Sequence, residues 1–143
     1  MTSITNTEII RRFTSEFINT ADPVVAAELV SPTAAFHAPG MPPMRGPEGY
    51  LGLIAMLRAG FPDVHWTLED VVAEGDKVAA RFTMRGTHQG MFMGVSPTGK
   101  AFAVTAMGIY RIASGQIVEE HGLPDMLGIM MQIGAIPAPG AQR

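Results

Sequence analysis

Two groups near the end of the chain have the types and spacing for proton chemistry: His121 and Asp125, in Glu119-Glu120-His121-Gly122-Leu123-Pro124-Asp125-Met126. Gln116 to His121 reads as a strand and Met126 to Ile133 as an apolar closing helix, so a histidine and a carboxylate meet at the helix mouth. In such a pair the carboxylate orients the imidazole and the imidazole passes the proton. If the strand runs on, Ile117, Glu119, His121 and Leu123 share one face. Each residue also has a plainer reading. Asp125 in a first turn complements the helix macrodipole, and a strand-end histidine often bonds only to backbone.

The other histidines are His37, His65 and His88. His37 ends a short strand before a proline-rich loop and is a candidate for a pocket rim. His65 is next to Trp66, so the two face opposite ways. His88 lies in Arg85-Gly86-Thr87-His88, at a strand end. No spacing resembles H-x-x-x-H or H-E-x-x-H, so no metal set is expected. The chain has no cysteine, which excludes disulfides and thiolate chemistry. No G-x-G-x-x-G loop and no G-x-S-x-G elbow is present, and no cofactor is expected. Eleven methionines are the remaining signal. Met41, Met44, Met91 and Met93 fall in loops, where flexible thioethers suit a pocket for a bulky, flat apolar ligand. Met126, Met130 and Met131 fall on the closing helix and are expected in the core.

These groups need a scaffold, and the apolar pattern supplies one. Thr5-Asn6-Thr7-Glu8 fits a capping box ahead of Ile9, Ile10, Phe13 and Phe17 at helical spacing. Asp22-Pro23 starts a second helix carrying Val24, Val25, Leu29 and Val30. Thr33 to His37 is a short strand. Gly46-Pro47 opens a third helix with Tyr50, Leu51, Leu53, Ile54 and Leu57 apolar, stopped by Gly60 and Phe61-Pro62. The period then becomes two. Val64–Glu74 and Lys77–His88 flank a Gly75-Asp76 hairpin, with Trp66, Leu68, Asp70 and Val72 on one face of the first strand. Residues 89–99 form a loop, 100–112 a long strand, Ser114-Gly115 a turn. Helices grouped before an antiparallel meander mean α+β. A strongly bent sheet around the N-terminal helices makes a cone with an interior pocket. The expected organisation is one domain over 1–134 and a loose tail over 135–143.

Composition bounds the class. Apolar residues make up 47% and charged residues 16%, so apolar surface is left over for a large pocket, an oligomer interface or both. Net charge is −3 without a basic block, against nucleic acid as a partner. No apolar run has membrane-span length, and Met1 to Thr5 lacks signal-peptide regions. A soluble cytoplasmic protein is the expectation.

The order of short motifs resembles one family. Phe36-His37-Ala38-Pro39-Gly40, Arg45-Gly46-Pro47-Glu48-Gly49, Phe61-Pro62-Asp63, Glu74-Gly75-Asp76-Lys77-Val78, Arg85-Gly86-Thr87-His88, Pro97-Thr98-Gly99-Lys100 and Gly115-Gln116-Ile117-Val118-Glu119 follow one another as in the SnoaL-like polyketide cyclases, also called ester cyclases. The resemblance runs from about Thr5 to Gly134. It implies a nuclear-transport-factor-2-like cone with a deep apolar pocket, commonly a dimer packed through the sheet. It also implies ring closure by intramolecular aldol condensation without metal or cofactor, with an aspartate after the last strand that Asp125 matches. Relatives often carry tryptophan at the place of His121, and this chain lacks the histidine that some carry on the long strand. His121 is therefore the candidate partner of Asp125.

On this reading Asp125 and His121 are catalytic. Phe36, His37, Met44, Tyr50, Leu53, Trp66, Arg85, His88, Phe92 and Met93 bind the apolar substrate. Two alternatives keep the pocket. One changes the reaction to isomerisation, dehydration, hydroxylation or epoxide opening, the last drawing on Arg81 or Arg85 with Asp70 and Asp125. The other is a non-catalytic protein that binds an apolar ligand.

Overall fold

The computed structural model describes residues 5–137 and 140. Helix α1, Asn6–Arg12, is capped by Thr5, whose hydroxyl accepts from the Glu8 amide at 3.3 Å. The chain widens into a π-helical turn over Phe13–Ile18. There the Thr14 hydroxyl donates to the Ile10 carbonyl at 2.9 Å and that of Ser15 to Arg11 at 3.0 Å, side-chain bonds that compete with the helical ladder. Helix α2, Pro23–Leu29, starts at Asp22, whose carboxylate accepts from the Val24 amide at 2.9 Å. Ala26 and Leu29 face the core, while Val24, expected among the apolar positions, is exposed.

Strand β1, Val30–His37, is longer than the expected Thr33–His37 and pairs with the two-residue β2, Met44–Arg45. Helix α3, Gly46–Gly60, buries Tyr50, Ile54 and Leu57. The meander follows as β3, His65–Glu74, β4, Lys77–Thr87, β5, Ala101–Ala113, and β6, Gln116–Pro124. The Ser114-Gly115 turn has both residues at positive φ, 53° and 76°, the backbone a two-residue hairpin requires. Helix α4, Met126–Gln132, closes the chain. The sheet order is β2-β1-β6-β5-β4-β3, antiparallel throughout except for β1 beside β6. This parallel contact joins the start of the sheet to its end.

Two bulges reset the facing of side chains. One lies in β3, where Leu68 pairs with Phe82 but Asp70 with Arg81, so Glu69 is the extra residue. Trp66 and Leu68 pack on the core and Asp70 and Val72 face outward, where plain alternation put all four together. The other lies in β6. Ile112 pairs with Ile117 but Arg111 with Glu119, so Val118 is extra. Ile117 is buried, yet Glu119 and His121 face outward and Glu120 faces in. The expectation that Ile117, Glu119 and His121 share one face fails at that single residue.

The core divides into two clusters. The larger fills the cone with Phe13, Phe17, Phe36, Tyr50, Phe82 and Tyr110 among others. The smaller joins Phe61, Phe92 and Phe102 to Ile129 of α4 and to Ile133 just past its end, so that α4 plugs one end. Residues 89–99 fold back on the end of α3: the amides of Gln89 and Gly90 both donate to the Gly60 carbonyl at 3.0 Å. A Cβ at Gly90 would lie 1.8 Å from the Ala59 carbonyl oxygen, so only glycine permits this approach. The expected tail over 135–143 lies in part outside the described residues; at its start the Ala135 amide donates to the Met130 carbonyl at 2.9 Å. Among the described residues no helix is long and apolar enough to cross a membrane.

Candidate active site

The inner faces of β4, β5 and β6, with α3 and the π-helical turn, enclose a cavity of about 120 Å³. Its walls include Phe13, Phe36, Leu53, Trp66 and Phe82, and Met41, Met56 and Met126 also line it. Among the described lining residues one carries a carboxyl: Glu120. The Val118 bulge turns it inward, and it is 7% exposed. The Tyr50 hydroxyl donates to its Oε1 at 2.5 Å, and the Tyr110 hydroxyl faces the same carboxyl. Burial pushes the Glu120 pKa from 4.5 up to about 7, opposed by the hydrogen bonds from Tyr50 and Tyr110. Both tyrosines are raised well above their ordinary value, first by burial and then by the nearby Glu120 charge, so they remain neutral donors.

Space around the carboxyl is kept by two glycines. Gly108 of β5 and Gly122 of β6 are paired across the strands on the inner face. A Cβ at Gly122 would lie 2.8 Å from Glu120 Oε2 and 3.1 Å from the Phe36 ring; one at Gly108 would lie 3.3 Å from the same oxygen. Oε1 is thus bound by Tyr50, while Oε2 fills the room that the glycines leave. Phe36 stacks on Tyr50 at 4.9 Å and 13°, which fixes the phenol on its side.

The structure does not bring Asp125 and His121 together. Asp125 caps α4, with Oδ1 accepting from the Gly128 amide at 2.8 Å, and it does not line the cone. His121 faces the outer side of the sheet, where its ring stacks on His37 at 4.6 Å and Nε2 lies 3.2 Å from Glu119 Oε2. Of the expected binding residues, Phe36, Tyr50, Leu53 and Trp66 line the cone. The other six do not. His37 is on the outer face. Met44 packs beside the core from β2, and Arg85 is exposed on β4. Phe92 is buried against Phe61 at 4.6 Å in the smaller cluster. Met93 is exposed, at positive φ in a tight loop.

His88 is fully buried away from the cone. Its Nδ1 accepts from the Thr98 amide at 3.2 Å, while its own backbone holds Gly99 and Lys100, so it pins the base of the 89–99 loop. Nε2 then carries the ring proton and has no partner among the described residues.

A second, wider space of about 730 Å³ lies on the opposite side of the sheet. It is a trough between Val72, Met107, Ile109 and Leu123, all exposed. Asp70 and Arg81 on its wall are joined by a hydrogen bond of 2.8 Å from Arg81 Nε, and His37 and His121 also line it. The cone, though smaller, is the space that holds a carboxyl buried in apolar walls, which is where proton chemistry is expected.

An α+β cone with helices inside a curved, open sheet and a carboxyl deep in an apolar pocket is the nuclear-transport-factor-2-like architecture. Solved structures agree. IdmH of Streptomyces antibioticus superposes with a TM-score of 0.80 at 36% identity, over 90% of this chain and 97% of that one. A SnoaL-like protein from Jannaschia sp. CCS1 superposes at 0.82 and 26%, over 96% and 100%. Within this fold the model of the SnoaL-like polyketide cyclases matches residues 8–133, and the chain belongs to that family. It is 32% identical over 91 residues to the nogalonic acid methyl ester cyclase of Streptomyces nogalater, covering 62% of this chain and 67% of that one. It is 31% identical over 93 residues to the aklanonic acid methyl ester cyclase AcmA of Streptomyces galilaeus, covering 64% of each. The matched segments span about two thirds of these relatives.

Proposed function

We propose that this chain closes a ring in an apolar, polyketide-type substrate by acid–base catalysed intramolecular aldol condensation, with Glu120 as the proton-transfer group. One observation supports the reading above others: a single carboxyl, held near neutrality by burial, lines an apolar cone. A base works best when its pKa lies near the operating pH, and at about 7 both forms of Glu120 are populated. As carboxylate, Glu120 takes the proton between two carbonyls of the substrate. The enolate carbon then bonds to a second carbonyl carbon of the same molecule, and the alkoxide formed takes the proton back from Glu120. Nothing is oxidised or reduced. Tyr50 and Tyr110 hold the carboxyl that makes the transfer. Folding the substrate inside the cone replaces a bimolecular encounter.

The cavity is below the ~300–1,000 Å³ of pockets that hold drug-sized ligands. A multi-ring substrate therefore enters by displacing the lining methionines Met41, Met56 and Met126, whose unbranched side chains can repack. The outer trough, with Val72, Met107, Ile109 and Leu123 exposed in one field, suits packing of a second copy of this chain.

The test is turnover of nogalonic and aklanonic acid methyl esters by wild type, Glu120→Gln and Asp125→Asn. Wild-type and Asp125→Asn turnover with loss in Glu120→Gln is the expected result. The reverse pattern returns the role to Asp125. Tight binding of both esters by wild type, with no product, leaves the ligand-binding alternative.

A further inference from the structure

Spacing in the sequence shows no metal motif, but the sheet assembles one kind of cluster that spacing cannot show. Among the described residues, one group has three possible ligand atoms all within 4.8 Å of one another: His37, Glu119 and His121. We propose that these three residues bind a divalent first-row transition-metal ion of the zinc type, on the face of the sheet opposite Glu120. The backbone builds the cluster. His37 and His121 are direct partners on the parallel strands β1 and β6, and Glu119 is two residues before His121 on the same face. Their placement rests on strand register and not on a loop.

The chemistry of the donors fits. Two imidazoles and one carboxylate suit zinc and its neighbours and are unsuited to magnesium, which prefers oxygen ligands and retained water. The two oxygens of Glu119 have separate duties. Oε1 accepts from Arg111 Nε at 3.2 Å, and Oε2 lies 3.2 Å from His121 Nε2. Arg111 thus holds the carboxylate from behind, the place of an outer partner in a metal site, and leaves Oε2 toward the histidines. An ion would replace the contact between His121 and Oε2. Bonds of about 2.0–2.2 Å require the donors to draw somewhat closer than they stand. The exposed His121 ring, free of any other hydrogen-bond partner among the described residues, can turn to do so. Remaining coordination positions open to the trough.

The experiment is zinc titration of the full chain by calorimetry, with thermal melting at each metal concentration and sedimentation to record the oligomeric state. The expected result is one zinc per chain, a melting temperature that rises with zinc as binding to the folded state requires, and no such response to magnesium. His37→Ala and His121→Ala should each weaken binding by more than the roughly 10–100-fold that losing an outer partner costs. His65→Ala, remote from the cluster, should bind as wild type. Absence of saturable zinc binding by wild type overturns the proposal. So does binding that survives in both cluster variants at the wild-type stoichiometry. Sedimentation separates loss of a ligand from loss of an assembled state.

Discussion

Glu120 and His121 are neighbours in sequence and stand in opposite worlds. Glu120 faces aromatic rings and two phenols, and burial holds its carboxyl near neutrality. His121 faces the outer trough, beside His37 and the ordinary ion pair of Arg111 with Glu119. Glu119, one residue earlier, is pulled below the usual carboxylate range by Arg111 and then His121. Two adjacent glutamates thus move in opposite directions because a strand puts them on opposite faces. What distinguishes a candidate catalyst from a surface group here is the face of the sheet, not the residue type.

That contrast can be broken most sharply at Glu120. Glu120→Gln keeps the shape and removes the proton carrier, so turnover should fall by about 10²–10⁴-fold. His121→Ala, on the other face, should leave turnover of the same esters within severalfold of wild type. Equal losses in the two variants would erase the distinction between faces.

Next in size is the pH dependence of stability. Folding raises the Glu120 pKa from 4.5 to about 7, so between these values the fold keeps a proton that the unfolded chain has released. Stability must then fall as pH rises through this window and level off above it, by on the order of 3 kcal/mol. Glu120→Gln should flatten the fall and be the more stable protein in mild alkali. Urea unfolding across the window measures both.

Tyr50→Phe tests the proton position more finely. The Tyr50 bond lowers the Glu120 pKa against burial. Without it the activity profile should move to higher pH, with turnover about tenfold lower in mild acid and recovering in alkali. A uniform loss at all pH values would instead mean that Tyr50 acts in packing. The smallest effect is expected from Asp125→Asn or Asp125→Ala. The alanine should cost about 1 kcal/mol through the lost cap of α4, with turnover retained.

Much of the scaffold was legible because its signals are local. Asp22-Pro23 and Thr5 cap helices as read, Ser114-Gly115 turns, and α3 ends at Gly60. The cone walls Phe36, Tyr50, Leu53 and Trp66 followed from apolar periodicity. The inward facing of Glu120 did not, for a physical reason. A bulge is one extra residue without a compositional mark, yet it reverses every side chain beyond it. At Val118 it sends His121 out and Glu120 in, so counting by twos from Ile117 puts Glu119 and His121 on the wrong face. The buried position of Glu120 has one local trace, since Gly108 and Gly122 leave a gap that its carboxyl fills, but their pairing is visible only once the register is known. Phe92, expected in the pocket, lies in the smaller cluster for another reason: a loop that folds back on a helix end has no period to read.

The parallel contact of β1 with β6 also has a consequence in time. The meander from β3 to β6 pairs each strand with its chain neighbour, so it can zip from turns that close short loops. Phe36 meets Glu120 only through β1 and β6, and the Tyr50 bond to Glu120 spans 70 residues of chain. Contacts so distant in sequence repay their closure entropy late. During refolding the sheet should gain its hydrogen-bonded protection first. The cone, and any turnover within it, should come only with the final docking of the amino-terminal third.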